Sequence, residues 1–213
     1  MNQKLSLPVE RLVNLCLETG MVPDAKFHYR WNEYAEWQID SLIAIGMKPE
    51  HKLLDIGCGP LRLGIQAIDY LNDGNFYGID ANPAYFELAP HLYKASGLTK
   101  KYEMLLDSDF SFHKFGTSFD FAIAQSVFTH LSSVQIMDCL KKLKGVMKKG
   151  GVLLFTNIIT DYPRGFLYAG RVPMISGTHC TLDFYEGLCK ELGLEFIEKT
   201  VSHPSQKAHL IKF

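Results

Sequence analysis

Lys52-Leu53-Leu54-Asp55-Ile56-Gly57-Cys58-Gly59-Pro60-Leu61-Arg62-Leu63-Gly64 constrains this chain more than any other stretch, because an apolar run ends in an acid and breaks into glycines before a helical pattern begins. It reads as strand, tight turn and helix. Glycines at 57 and 59 let the backbone turn sharply and bring its N–H groups close to a ligand, while the following helix offers the positive end of its dipole. A nucleotide-like ligand suits such a turn. A dinucleotide fingerprint needs G-x-G-x-x-G, and its third glycine position is Arg62, so that pattern is incomplete.

Around this turn, apolar runs alternate with helical spacing. Strands are expected at 52–56, 75–80, 102–106, 119–125 and 150–159, and helices at 61–71, 83–96 and 132–148. Such alternation implies right-handed β-α-β units and a mainly parallel sheet. A helix starting at Thr181 or Asp183 closes at Gly193, and strands at 194–201 and 207–213 follow. The connection Ser202–Gln206 is too short for a crossover, so the last two strands must be antiparallel. Ahead of the turn, a helix from Ser6 to Gly20 and a second with Trp31, Tyr34, Ala35, Gln38, Ile39 and Leu42 on one face form an N-terminal cover.

A length of 213 residues with 47% hydrophobic content allows one domain with its own core. The formal charge of -1 gives no global reason to expect nucleic acid or an anionic membrane. Five cysteines without a C-x-x-C pair suit reduced thiols in a cytoplasm. The N-terminus lacks a secretory pattern, and no apolar run approaches the ~18 residues that span a bilayer.

Asp55-Ile56-Gly57-Cys58-Gly59-Pro60 resembles the first motif of class I S-adenosylmethionine-dependent methyltransferases, although Leu61 stands where that family often has a further glycine. The resemblance implies a Rossmann-like, seven-stranded, mainly parallel sheet with the last strand antiparallel and helices on both faces. It also implies S-adenosyl-L-methionine as cofactor. Asp80, followed by Ala81 and 21 positions after Gly59, stands where a strand-end acid accepts from both ribose hydroxyls. By the resemblance, Asp107 contacts the adenine amino group and the Ser108 N–H a ring nitrogen, with Asp109 as the rival acid. Asp55 acts through water or by holding the turn for the methionine end. Gln125 and Ser126, at the carboxyl end of the fourth strand, are expected at the methionine moiety. Cys58 is a small filler of the turn.

His130 follows the fourth strand and is the candidate general base, against the plainer reading of a backbone ligand or helix cap. His28 and His179 compete with it. In the resembled family the segment Phe27–Tyr34, here with His28, Tyr29 and Arg30, folds over the cofactor and shapes the acceptor pocket, so residues 1–48 are expected to form a cover or lid. Residues 160–180 read as a specificity loop whose Arg164 and Arg171 are candidates to clamp an anionic acceptor, although surface arginines on loops are commoner. There is no Asn/Asp-Pro-Pro-aromatic motif and no Pro-Cys nucleophile, and metal-dependent relatives carry an Asp where Gln125 stands. These features favour metal-independent transfer to an oxygen, with nitrogen open, of a small-molecule acceptor. A nicotinamide-dependent oxidoreductase and a non-catalytic S-adenosylmethionine-binding domain are the alternatives.

Overall fold

Leu53 and Leu54 point to opposite faces of a strand, and both are fully buried, which requires a sheet covered on two sides. The computed structural model describes residues 31–159, 164–167 and 175–213, with side chains described outside 164–179 and 199–201. The expected helix Ser6–Gly20 and the residues His28, Tyr29, Arg30 and Arg171 lie outside the described residues.

The elements in chain order are α1 (Trp31–Ala44), β1 (Leu53–Ile56), α2 (Gly64–Tyr70), β2 (Phe76–Asp80), α3 (Pro83–Ser96), β3 (Glu103–Leu106), β4 (Phe119–Ala124), α4 (Ser133–Lys144) and β5 (Met147–Asn157). They continue with β6 (Arg164–Leu167), β7 (Ile175–His179), α5 (Leu182–Leu192), β8 (Glu195–Val201) and β9 (Lys207–Lys212). A seven-stranded sheet runs in the order β3-β2-β1-β4-β5-β9-β8. Pairing is parallel from β3 through β5, whereas β9 is antiparallel to both β5 and β8. The order reverses between β1 and β4, the place where open α/β sheets leave a crevice.

Alternate residues of the central strands divide between two cores. Leu53, Phe121, Ile123 and Leu154 pack with Leu42 of α1, Ile68 of α2 and Ala89 of α3, while Leu54, Ala122, Leu153 and Phe155 pack with Leu140 of α4 and Tyr185 of α5. Local signals set the helix ends. Asn82 Oδ1 accepts from the Ala84 N–H ahead of Pro83, Ser132 and Gln135 form a capping box, and Thr181 Oγ1 accepts from the Phe184 N–H.

Three expectations are corrected. The helix expected over 61–71 is confined to Gly64–Tyr70, because Leu61 adopts a left-handed φ of 68° that no helix tolerates. The helix expected to reach 148 stops at Lys144; buried Val146 and Met147 turn back to the sheet, and β5 starts at Met147. The segment 160–180, expected as a loop, contains the antiparallel pair β6–β7, with Arg164 opposite His179.

Candidate functional site

The crevice at the carboxyl ends of β1 and β4 opens into a cavity of about 550 Å³, within the range of small-molecule and cofactor sites. Its floor is the glycine turn. Gly57 has φ 70°, and a Cβ there would lie 2.5 Å from Val127 Cγ2, so only glycine fits. Gly59 also has positive φ, and a built Cβ there meets nothing within 4 Å, so open space lies over this side of the turn. The N–H groups of Gly57 and Cys58 donate to the Ile79 carbonyl at 2.8 and 3.1 Å and fasten the turn to β2. Cys58 is buried against Gly78, where a Cβ would come within 2.8 Å of its sulfur. Burial, with Asp55 and Asp80 nearby, pushes its thiol well above the ordinary range, so it is no thiolate nucleophile in this state.

All ten residues expected at the cofactor line this one cavity, and so does His130. Asp80, at the tip of β2, accepts the Gly59 N–H on Oδ2 and the Asn82 N–H on Oδ1, both at 2.9 Å. Each oxygen keeps a lone pair for a further donor. Asp55 is 2% exposed. Burial lifts its pKa to about 8, Arg62 opposing the rise and Asp80 adding to it.

Asp107, which lines the cavity, is also held from within its own loop. Its carboxylate turns into its own loop, accepting from the N–H groups of Asp109 and Ser111 at 2.8 and 3.0 Å and from Lys114 Nζ at 2.9 Å. Burial raises its pKa, but these donors outweigh burial and hold it well below the usual carboxylate range. The side chain braces the loop that carries Ser108 to the cavity.

Beyond β4, Ser126 takes a left-handed φ of 59°. Such strain costs on the order of 1–3 kcal/mol and persists only where surroundings enforce it. Here the Ser126 N–H donates to Thr156 Oγ1 at 2.8 Å, its carbonyl accepts from Thr129 Oγ1 at 2.7 Å, and Oγ accepts from Gln125 Nε2 and Gln206 Nε2 at 2.7 and 2.9 Å. The short 3₁₀ turn Phe128–His130 follows, and the exposed His130 closes it at the cavity rim. Strand β7 packs beside that turn. Arg164 and His179 therefore share a rung near the rim, in a segment whose side chains are not described.

Sequence reasoning missed two contributors, Arg62 and Gln38, and named Tyr34 only as the end of a covering segment. Arg62 lines the cavity, with Nε donating to Gln38 Oε1 at 3.4 Å, Nη2 donating to Gln125 Oε1, and Cζ 5.1 Å from the centroid of Tyr34. Gln38 and Tyr34 come from α1. The available signal was Gln38 itself, a polar residue in the apolar stripe of its helix, now seen to be 3% exposed. The same helix is latched to the β8–β9 turn: Trp37 Nε1 donates to the Ser202 carbonyl, Tyr34 and Ser205 share a hydrogen bond at 2.9 Å, and Trp37 meets His203 edge-on. Arg62 also removes the third fingerprint glycine of a dinucleotide site and fills part of the wall with a cation.

The glycine turn with open space above it, the strand-end acid at 80 and the cavity size fit an adenosyl cofactor. Residues 53–151 match the family model described as "Methyltransferase domain". Among solved structures, magnesium protoporphyrin IX methyltransferase from Synechocystis PCC 6803 with bound SAM is 13% identical with a TM-score of 0.63, over 87% of this chain and 79% of that one. An S-adenosylmethionine-dependent methyltransferase from Clostridium acetobutylicum ATCC 824 is 12% identical with a TM-score of 0.63, over 86% and 92%. CalS10, an amino pentose methyltransferase from Micromonospora echinaspora, is 16% identical with a TM-score of 0.59, over 85% and 91%. Residues 53–151 of this chain therefore match a methyltransferase domain, and the chain has the fold of the S-adenosylmethionine-dependent methyltransferases it resembles.

Proposed function

We propose that the protein methylates an oxygen of a small-molecule acceptor, with nitrogen as the alternative atom, without a metal ion, and that His130 is the general base. One observation carries the reading: among the described residues His130 is the only imidazole lining the cavity, and its ring is exposed there with no hydrogen bond from the protein. When bound, the sulfonium of S-adenosylmethionine supplies an electrophilic methyl group. Asp80 would hold the ribose diol through its remaining lone pairs, and the Gly57–Gly59 turn would border the methionine end. Ser108 borders the adenine. An imidazole nitrogen of His130 takes the proton of the acceptor as the new bond forms.

The β6–β7 pair beside the His130 turn, with Arg164 and His179 on one rung, suits acceptor selection; Arg171, His28, Tyr29 and Arg30 are proposed to join it. The acceptors named for two of the similar structures, a porphyrin and an amino pentose, share no chemistry, so the fold leaves the acceptor open.

Alignment of two bound reactants contributes on the order of 7–11 kcal/mol, whereas a general base adds about 100- to 10,000-fold. His130→Asn should therefore lower kcat by about 100-fold or more, flatten the acid limb of the pH–rate profile and leave the affinity for S-adenosylhomocysteine unchanged. Turnover of an acceptor panel, followed as S-adenosylhomocysteine release, measures this. An unaltered rate with an unaltered acid limb would remove His130 from the chemistry.

A further inference from the structure

The turn at residues 202–206, between β8 and β9, is folded around an imidazole. His203 Nδ1 accepts the N–H groups of Ser205 and Gln206 at 3.0 and 2.8 Å. A backbone N–H can only donate, so Nδ1 holds no proton and the ring is neutral, with its proton on Nε2. A second proton, placed on Nδ1, would set that donor against two others and undo both bonds. The shape of the turn therefore depends on the charge of one side chain.

Part of the cavity wall hangs on that turn. On one side it seats α1: the His203 ring stacks on Tyr34 with centroids 5.4 Å apart and meets Trp37 edge-on at 4.4 Å, while Ser202 and Ser205 bond to Trp37 and Tyr34. On the other, Gln206 Nε2 donates to Ser126 Oγ at 2.9 Å. Tyr34, Gln38 and Ser126 all line the cavity. The contacts close a ring, because Arg62 lies against Tyr34 and donates to Gln125, whose Nε2 reaches Ser126 Oγ. Tyr34 is the titratable group that α1 turns to His203, and its ring also takes the Arg62 guanidinium, so an imidazolium would bring a like charge to the same ring. Ser202, Pro204, Ser205 and Gln206 carry no charge, and Lys207, just beyond, is exposed. We propose that neutral His203 is the positioning residue that seats α1 on the cavity, and that its protonation unseats the helix and withdraws Gln206 from Ser126. The seated state is complete where imidazole is neutral and is lost as pH falls through the imidazole range. This goes beyond the methyl transfer proposed above and belongs to the ligand-free protein, whereas the part of His130 is read in turnover.

Amide hydrogen exchange in the ligand-free full chain, corrected for the intrinsic effect of pH, reads the seating of α1 directly. Between about pH 7.5 and about pH 5.5 the wild type should lose at least about tenfold of its protection in α1, the scale of two hydrogen bonds, while β1, β4 and β5 stay slow. His203→Asn offers the turn an uncharged oxygen that accepts the same N–H groups, and its α1 exchange should not change with pH. His203→Phe keeps a ring without an acceptor, so its α1 should exchange fast already at neutral pH and show no further step in acid. Slow exchange in the three strands of each variant reports that the domain is folded. A wild type whose α1 protection does not change over this range would overturn the proposal, and so would a variant that keeps the acid step of the wild type. Protection of α1 in His203→Phe equal to that of the wild type at neutral pH would also overturn it, since the acceptor at Nδ1 would then seat nothing.

Discussion

Leu61 shows how one residue departs from a motif without breaking the turn. A left-handed φ of 68° costs a β-carbon residue about 1–2 kcal/mol. Its side chain is fully buried, filling the space where a Cβ on Gly64 would come within 2.5 Å of Leu61 Cδ2. Burying a leucine contributes about 1.5–3 kcal/mol, which offsets the strain. Leu61→Gly should thus destabilise the protein by about 1–3 kcal/mol in urea unfolding, since the cavity outweighs the relief of strain. Asp55 gives a pH-dependent case. Its folded pKa of about 8 exceeds the ordinary value of 3.8, so the folded state holds the extra proton. Its contribution is full below the ordinary carboxylate range and lost as pH rises through about 8. Asp55→Asn should therefore raise the melting temperature of the ligand-free protein, by more at pH 8.5 than at pH 5. The acids at 55 and 80 were legible from spacing, because strand ends and glycine turns impose a fixed register. Arg62 was not, because its setting is defined by Gln38 and Tyr34 from a distant helix.

At the scale of elements, α1 matters more than its place as a cover suggests. It supplies Tyr34 and Gln38 to Arg62 and is latched through Trp37 to the β8–β9 turn, whose Gln206 reaches Ser126. Trp37→Ala should speed amide exchange in α1 and weaken S-adenosylhomocysteine binding severalfold, leaving exchange in β1, β4 and β5 slow. Equal protection of α1 in both proteins would deny the latch. The alternation of strands and helices was readable because apolar runs and caps are local signals. The β6–β7 pair was not, since Pro, Gly and aromatics read as loop and the pairing of Arg164 with His179 spans 15 residues.

For the whole molecule, the sheet order brings every expected cofactor residue to one cavity at the carboxyl ends of β1 to β4, so a ligand there should stabilise the entire domain. S-adenosylhomocysteine at a hundred times its Kd should add about 2.7 kcal/mol, or about 5–10 °C in melting temperature for a chain of this size. Isothermal titration of S-adenosylhomocysteine into wild type and Asp80→Ala measures the proposed binding of the adenosyl cofactor by the glycine turn and Asp80. Saturable one-site binding to the wild type and a loss of at least about tenfold in Asp80→Ala are expected, the scale of hydrogen bonds to a charged group. Absence of binding to the wild type, or equal affinity in the two proteins, would contradict it.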